Sequence, residues 1–459
     1  MHNTVVLLER ACTVYWTMSK TTTMARCTLE NCSSSDSSAQ SVEADMEPTT
    51  MSSPLKVQDL STDAMNVLLS FLIFDDYLAL SLVSKSFNCA ISRASHLVME
   101  DPSTTGKTVD YSDSSMLDRQ RGTSTVRLEQ QTLRQLLRRY QKLNVLHLNG
   151  LAAVGDNLFS ILNQAPAASN ITSLSLNGVS LSYWCPNALE FQNLQHLKIS
   201  GGTIRAALGK LFGAADHPSS NLKTLTIKQC SSLRDEHVAD MVRRLDGCLT
   251  SLSLHQCLRV KKPVLCLAKL KHLSLVGCFA LSDLPKFSCP KLLSLDMSFC
   301  FRLSTDRIQN IVESVPSLEE LTLIKCPSLH SLKLTSKTLR RVNVNFCNSL
   351  VTLKLTCPKM ERLDNASCSS LDTVILKQAH ALQALSVAGQ PVTRLDLLAA
   401  DSLQRLNLAG CRNLRSCNIQ APSLVTVDTT GSRTVALRFC RSVRQVMIES
   451  WSRTDLAVQ

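Results

Sequence analysis

The feature that most constrains the fold is a short apolar pattern, Leu-x-x-Leu-x-Leu-x-x-Cys, that recurs from residue 143 onward. In each copy the Leu-x-Leu alternation predicts a short strand whose leucines point inward and whose intervening side chains point outward. One copy cannot bury its apolar face alone, so we expect the copies to stack into a solenoid with one parallel sheet. Successive starts are 21 to 28 residues apart, and the clearest are Leu143, Ile171, Leu194, Leu222, Leu249, Leu270, Leu292, Leu318 and Leu339.

Cysteines follow the same register. Buried thiols behave as small apolar groups, so we predict that they form a column inside the solenoid. Metal ligation or redox chemistry is the alternative, but the chain has no paired CxxC sets with zinc spacing and no His is placed beside the column. We therefore predict no metal site and no cofactor. Eight residues stand eight positions after a start: Cys230, Cys257, Cys278, Cys300, Cys326, Cys347, Cys368 and Cys411.

From Leu318 onward the apolar starts lie only 10 or 11 residues apart. A coil of about 21 residues with two such segments has no room for a helix, so we expect a strand on each of its two sides. Two longer, earlier copies instead have helical spacing, at Val238, Met241, Val242 and Leu245 and at Ile308, Ile311 and Val312.

This pattern resembles the cysteine-containing class of leucine-rich repeats. The fold class that it implies is an α/β solenoid, a leucine-rich-repeat array with short coils and strands on both sides in its C-terminal half. We assign residues 129–459 to the solenoid. Residues 1–54, rich in Ser and Thr, are expected to be disordered, and the polar residues 99–128 are expected to form a linker.

A separate apolar segment, residues 55–98, precedes the linker. Met65, Leu68, Leu69 and Leu72 have helical spacing after cap-type residues, and two further short helices are expected before residue 95. Three helices in so few residues cannot bury all their large apolar side chains among themselves. Part of that surface therefore requires a partner.

The residues of this segment resemble an F-box. The resemblance rests on LSTDAMNVLLSFL at 60–72 and DYLALSLVSKSF at 76–87, although Ser61 stands where the family usually has Pro and Phe87 where Trp is frequent. The family implies a three-helix domain that binds a Skp-type adaptor. The positions expected to contact the adaptor are Leu60, Met65, Leu68, Leu69, Phe71, Leu72, Leu78, Leu80, Val83, Lys85 and Phe87.

An F-box ahead of leucine-rich repeats resembles the F-box/leucine-rich-repeat family of substrate receptors. The resemblance implies a non-catalytic subunit of a Skp-cullin-F-box ubiquitin ligase, in which the adaptor binds a cullin and the repeats hold a protein substrate. The alternative is a leucine-rich-repeat scaffold whose N-terminal helices only cap the solenoid. An enzyme is disfavoured, because no nucleophile, base or cofactor cradle has the required context.

Substrate contact is expected on the outward positions of the main sheet, which we predict to be its concave face. A solvated surface is the alternative for any one of these residues. The candidates are His147, His196, Lys198, Lys228, His255, Asp296, Glu320, Arg341, Asn343 and Asn345.

Charge and cysteine content limit the compartment and the partners. The net charge of +12 favours acidic partners, but no dense Lys/Arg run is interleaved with aromatic residues, so nucleic acid is not the expected ligand. Nineteen cysteines in a chain of 459 residues without zinc spacing fit a reduced compartment, cytoplasmic or nuclear. The most apolar window, Val67 to Val83, is interrupted by Asp75 and Asp76, so we predict no membrane segment.

Overall fold

The computed structural model describes residues 96–99, 130–148, 157–178, 180–181, 191–201, 203–204, 221–432 and 445–447. Its described part is a solenoid of stacked coils in which all paired strands are parallel. The predicted fold class, a leucine-rich-repeat solenoid, is confirmed.

The main sheet contains one strand from each coil. Inward residues face inward residues of the neighbouring coils: Leu273, for example, lies beside Leu252 and Leu295. Eleven strands form a continuous sheet and four more follow in a second sheet. The eleven are β1 (His96–Met99), β2 (Val145–Leu148), β3 (Ser173–Asn177), β5 (His196–Ser200), β7 (Thr224–Lys228), β8 (Ser251–His255), β10 (His272–Ser274), β12 (Ser294–Asp296), β13 (Glu320–Thr322), β15 (Arg341–Asn343) and β17 (Arg362–Asp364); the four are β19 (Ala384–Ser386), β21 (Arg405–Asn407), β23 (Thr426–Asp428) and β24 (Gln445–Met447).

Further strands lie half a coil away in sequence, and they include the second strand predicted for each C-terminal coil. Five of them form one parallel sheet, here called the opposite sheet: β14 (Ser331–Thr335), β16 (Thr352–Thr356), β18 (Thr373–Lys377), β20 (Arg394–Leu398) and β22 (Ser416–Ile419). The described residues of the earlier coils contribute two short pairs, β4 (Ser180–Leu181) with β6 (Thr203–Ile204), and β9 (Leu265–Cys266) with β11 (Phe287–Ser288).

Helices occur where the coils are long. The two predicted from apolar spacing are α3 (Asp235–Leu245) and α4 (Thr305–Glu313), and each buries the predicted residues. Two others, α1 (Gln130–Arg139) and α2 (Leu158–Asn163), and a short 3₁₀ helix, Ala168–Asn170, belong to the first coils. None of the helices in the described ranges is long and apolar enough to cross a bilayer.

The first strand of the sheet lies earlier in the chain than the repeat pattern indicates. β1 pairs with β2, and Leu97 lies beside Leu146. Residues 96–98 were assigned to the helical segment ahead of the repeats, and they form a strand instead. Among the described residues the sheet therefore begins at His96, and residues 100–129 come between β1 and the next described element in the sequence.

The predicted cysteine column is buried. All eight of its side chains have no exposed surface. Each of the eight thiols also donates a hydrogen bond to a carbonyl of the preceding coil. Cys278, for example, donates to Leu254 O at 3.1 Å, and Cys411 to Val387 O at 3.1 Å. The column thus fills the core and ties successive coils together through their backbones.

The residue immediately before each cysteine position has a positive φ. Six coils place glycine there and six place a side chain in the left-handed conformation. We call this set the left-handed column: Gly178, Gly201, Gln229, Gln256, Gly277, Phe299, Lys325, Phe346, Ser367, Gly389, Gly410 and Gly431. The conformation turns the chain out of the main strand, and side chains without a short polar group rarely adopt it.

One coil interrupts the cysteine column. Gln390 occupies the cysteine position and is buried, and its side-chain amide donates to the carbonyl of Asn365, which itself occupies an inward leucine position. Asn365 Nδ2 and Gln390 Oε1 have no hydrogen-bond partner among the described residues. Unsatisfied buried polar atoms of this kind destabilise a core.

Restoring the repeat pattern should therefore stabilise the protein. We expect Asn365→Val combined with Gln390→Cys to raise the free energy of unfolding by about 1 kcal/mol, because two unsatisfied polar atoms are removed. The new thiol would retain a donor for the Asn365-position carbonyl, as Cys411 does for Val387. Denaturant unfolding measures the change. The reverse exchange in the adjacent coil, Cys368→Gln, should destabilise; equal or lower stability of the double variant would contradict the explanation.

Candidate protein-binding surface

The ten residues predicted to contact a substrate all lie on or beside strands of the main sheet, at outward positions. Seven coils contribute to the set, within the run of nine neighbouring strands from β2 to β15. His147 is in β2; His196 and Lys198 are in β5; Lys228 and His255 end β7 and β8; Asp296 ends β12; Glu320 begins β13; Arg341 and Asn343 bound β15; and Asn345 follows β15 by two residues.

A cationic group forms where β5, β7 and β8 meet. Lys228 pairs across the sheet with His255 on one side and with Ser200 on the other. Partial burial and the nearby Lys198 lower the pKa of Lys228. The Lys198 ammonium is thus close enough to disfavour the charge of Lys228, which makes this part of the face receptive to an acidic group.

His255 is the titratable group nearest physiological pH in this cluster. Its Nε2 lies 2.9 Å from Ser274 Oγ. Burial, and secondarily the charge of Lys228, lower the pKa of His255, while Asp296 acts in the opposite direction. The imidazole is therefore neutral at pH 7 and becomes a further cation only in more acidic solution.

Acidification should consequently destabilise this face. The folded-state pKa of His255 lies below the ordinary value of 6.5, so the unfolded chain binds more protons between the two values. Stability is full above pH 6.5 and falls as the pH drops from there through the folded-state pKa. We expect His255→Gln to flatten that decline in a series of unfolding curves, with His272→Gln as the control on the same face. An unchanged decline would contradict the assignment.

Several predicted contact residues bind the sheet itself. Asp296 Oδ1 accepts hydrogen bonds from the backbone N–H and the hydroxyl of Ser298, at 2.9 and 2.6 Å. Asn343 Oδ1 accepts from the N–H of Asn345 at 3.1 Å. Because outward Asx side chains in these coils satisfy backbone donors, their first role is to hold the turn after the strand.

The last three predicted residues are similarly engaged. Asn345 Oδ1 accepts from the N–H of Ala366 in the next coil at 2.7 Å. Arg341 Nη1 donates to Glu320 Oε1 at 2.7 Å, which neutralises both charges on adjacent strands. The ion pair with Glu320 thus leaves Lys198 and Lys228 as the lysines of the predicted set, while Asp296 keeps its negative charge and acts on His255.

An aromatic edge at the carboxyl ends of the main strands was missed by sequence reasoning. The Phe279 and Phe301 rings stack with their centroids 4.8 Å apart. Lys325 Nζ lies 5.5 Å from the Phe299 centroid and 5.6 Å from that of Phe346. The available signal was the placing of four of the chain's 12 Phe at two template positions, the left-handed column and the residue after the cysteine. We define the aromatic edge as Leu258, Phe279, Phe299, Phe301, Lys325 and Phe346.

The thiols of the cysteine column are buried beneath this surface. Burial raises the pKa of Cys230 to about 12 and that of Cys278 to about 11. All 13 cysteines in the described part of the chain are free. Across the described ranges no group of three or more His, Cys, Asp or Glu side chains could hold a metal ion.

The residues predicted to contact an adaptor, from Leu60 to Phe87, lie outside the described residues. Their role therefore stays a prediction.

No family model matches the sequence, and no curated protein matches it. Among solved structures, the chain is similar to the Rad7 and Elc1 complex in yeast, at 15% identity over 87% of this chain and 88% of that one, with a TM-score of 0.32. It is also similar to the TLR13–ssRNA13 complex (14% identity, 69% of each chain, TM-score 0.19) and to the plant peptide hormone receptor RGFR1 in complex with RGF2 (12% identity, 68% and 80%, TM-score 0.17). The strand pairing establishes the solenoid, and these similarities assign it no partner or activity.

Proposed function

We propose that this chain is the substrate-recognition subunit of a Skp-cullin-F-box ubiquitin ligase. Residues 55–95 would bind the Skp-type adaptor, the adaptor would bind a cullin, and the repeats would hold a protein substrate. The observation that carries the proposal is the order of the two segments: an F-box-like pattern followed directly by a leucine-rich-repeat solenoid.

The solenoid supports a binding role through its outward face. Each coil adds one strand with exposed side chains at alternate positions. The area of the outward face therefore increases with the number of coils. Lys198 and Lys228 make the charge of that face positive at one place. Such a surface suits a protein partner with acidic groups.

In this proposal the chain contributes no catalytic residue. The rate increase arises because a bound substrate lies near a ubiquitin-charged enzyme held by the same complex, which raises the effective concentration of the reacting groups. The compartment would be the cytoplasm, the nucleus or both.

A leucine-rich-repeat scaffold is the second candidate, and one observation favours it. Among the described strands, β1 lies at the end of the main sheet and has β2 as its one neighbour. A sheet edge of this kind is normally covered, and the helices predicted just before residue 96 could serve as that cover.

Copurification separates the two candidates. The full chain and a variant lacking residues 55–94, which retains β1, are expressed with an affinity tag in their own organism. The proposal predicts that the adaptor and a cullin copurify with the full chain and that neither copurifies with the variant. Absence of both from the full chain, together with a lower thermal midpoint for the variant, would favour the scaffold.

A further inference from the structure

The aromatic edge exposes apolar side chains that the fold does not need. Leu258, Phe279, Phe301 and Phe346 are each exposed by 38 to 47%. Leu258, Phe279 and Phe301 lie on three consecutive coils, and Phe346 follows after the coil that contributes Lys325, so these side chains follow one edge of the main sheet. A contiguous exposed apolar strip on a protein of this kind marks a binding surface.

Two aromatic residues of the aromatic edge are also in an unfavourable backbone conformation. Phe299 and Phe346 belong to the left-handed column, with φ of 59° and 60°. Six other coils place glycine at the same position, which shows that the turn itself does not require a side chain. A bulky aromatic residue there strains the backbone, although the Lys325 ammonium near both rings offsets part of the cost. Strained backbone positions of this kind are concentrated at functional sites.

The charged residues at the template positions that form the aromatic edge are all cationic. The relevant positions are the left-handed column and the two residues after the cysteine, from residue 256 to residue 370. Three of these 18 positions are cationic, namely Arg259, Arg302 and Lys325, and none carries a carboxylate. Arg259, Arg302 and Lys325 are exposed. The strip therefore attracts acidic groups while its rings offer apolar contact.

We propose that the aromatic edge is a docking surface for an acidic segment of a partner protein that also carries large apolar side chains. The apolar side chains would pack on Phe279, Phe301 and Phe346, and the carboxylates would face Arg259, Arg302 and Lys325. The inference rests on the part of the proposed function in which the repeats bind a protein. It is independent of the adaptor.

A photo-crosslinking experiment in cells identifies the occupant. The full chain carries Phe279→p-benzoylphenylalanine, and the control carries the same amino acid in place of Lys354, which is exposed on the opposite sheet. The proposal predicts crosslinks from position 279 to a segment of another protein with more Asp and Glu than Lys and Arg and at least one large apolar residue. No enrichment over the control would overturn it, as would crosslinks to the same chain, to a second copy, to nucleic acid or to a segment that is not acidic.

Titration with a synthetic peptide of the crosslinked segment then tests the chemistry. Phe299→Gly with Phe346→Gly should weaken binding to the purified full chain at least about tenfold, as loss of central aromatic contacts does. The same variant should keep its thermal midpoint, because glycine relieves the left-handed strain. Binding equal to that of the parent would overturn the proposal.

The charged residues have a matched control. Arg302→Glu with Lys325→Glu should weaken binding and remove much of its salt dependence. Lys333→Glu with Lys354→Glu, which makes the same change in net charge on the opposite sheet, should do neither. Equal effects of the two pairs would show that net charge alone drives binding and would overturn the proposal.

Adaptor copurification with each variant distinguishes the two proposals. The variant with Phe299→Gly and Phe346→Gly should still copurify with the adaptor. If it no longer binds the peptide but keeps the adaptor, the defect lies at the aromatic edge. Peptide binding by a parent chain that retains no adaptor would leave the docking surface standing and remove the ubiquitin-ligase function.

Discussion

Leu273→Asp is expected to lower the free energy of unfolding by roughly 3–5 kcal/mol, the range seen when an uncompensated charge is left in a protein core. Leu273 is 2% exposed and lies between Leu252 and Leu295 in the main sheet. The neighbouring inward positions of these coils are apolar, so the new carboxylate would be buried unpaired or protonated at a cost. Chemical denaturation followed by circular dichroism measures the loss.

The adjacent residue provides the control. His272 is in the same strand but exposed on the outward face, so His272→Asp introduces the same side chain one position away. We expect that variant to stay within about 0.5 kcal/mol of the parent, as surface substitutions do. Equal destabilisation by both variants would show that the inward and outward assignment of the strand is wrong.

Leu68→Ala with Leu69→Ala is expected to abolish most binding to a Skp-type adaptor. Truncating a buried leucine typically costs about 2–5 kcal/mol, and a loss of that size at two positions is much of a typical interface energy. The two residues are consecutive on the apolar spacing that begins at Met65, in a segment too small to bury all of its large side chains. Titration of the purified adaptor measures the affinity.

Folding of the segment must be separated from binding. Asn66→Ala with Ser70→Ala changes two polar positions of the same predicted helix and should bind the adaptor like the parent. Circular dichroism of each variant reports helix content. A folded Leu68/Leu69 variant with full affinity would remove the ubiquitin-ligase proposal and leave the capped scaffold.

The repeat pattern predicted the strands and the core because both follow from side-chain alternation. Leu371, for instance, marks a repeat start just before β18, and the cysteine column is buried, as its spacing predicts. β1 was not predicted, since His96–Met99 is separated from the next copy by nearly fifty residues and has no leucine start of its own. A period can be recognised only where neighbouring copies are close enough to compare.

The outward face was less predictable than the core. Alternation indicated that Asp296 and Asn343 point outward, which they do, but it gave no information about the backbone donors they satisfy. Positive φ at Phe299 and Phe346 was not predictable from residue type, because aromatic residues rarely adopt it. Phe299, Lys325 and Phe346 of the aromatic edge have that conformation, so sequence reasoning about strands alone could not place their side chains.

In a stack of parallel coils, the number of residues between two positions determines how far apart they lie along the stack. Neighbouring parallel strands lie about 4.8 Å apart, so each coil of 21 or 22 residues after Leu318 advances the structure by that fixed step. After Leu318, residue number therefore measures distance along the solenoid, counted in coils. Removing residues 339–359, one whole coil, would bring every later coil about 5 Å closer to β1 without altering the coils themselves. The distance along the solenoid from β1 to any later coil is therefore set by the number of coils between them.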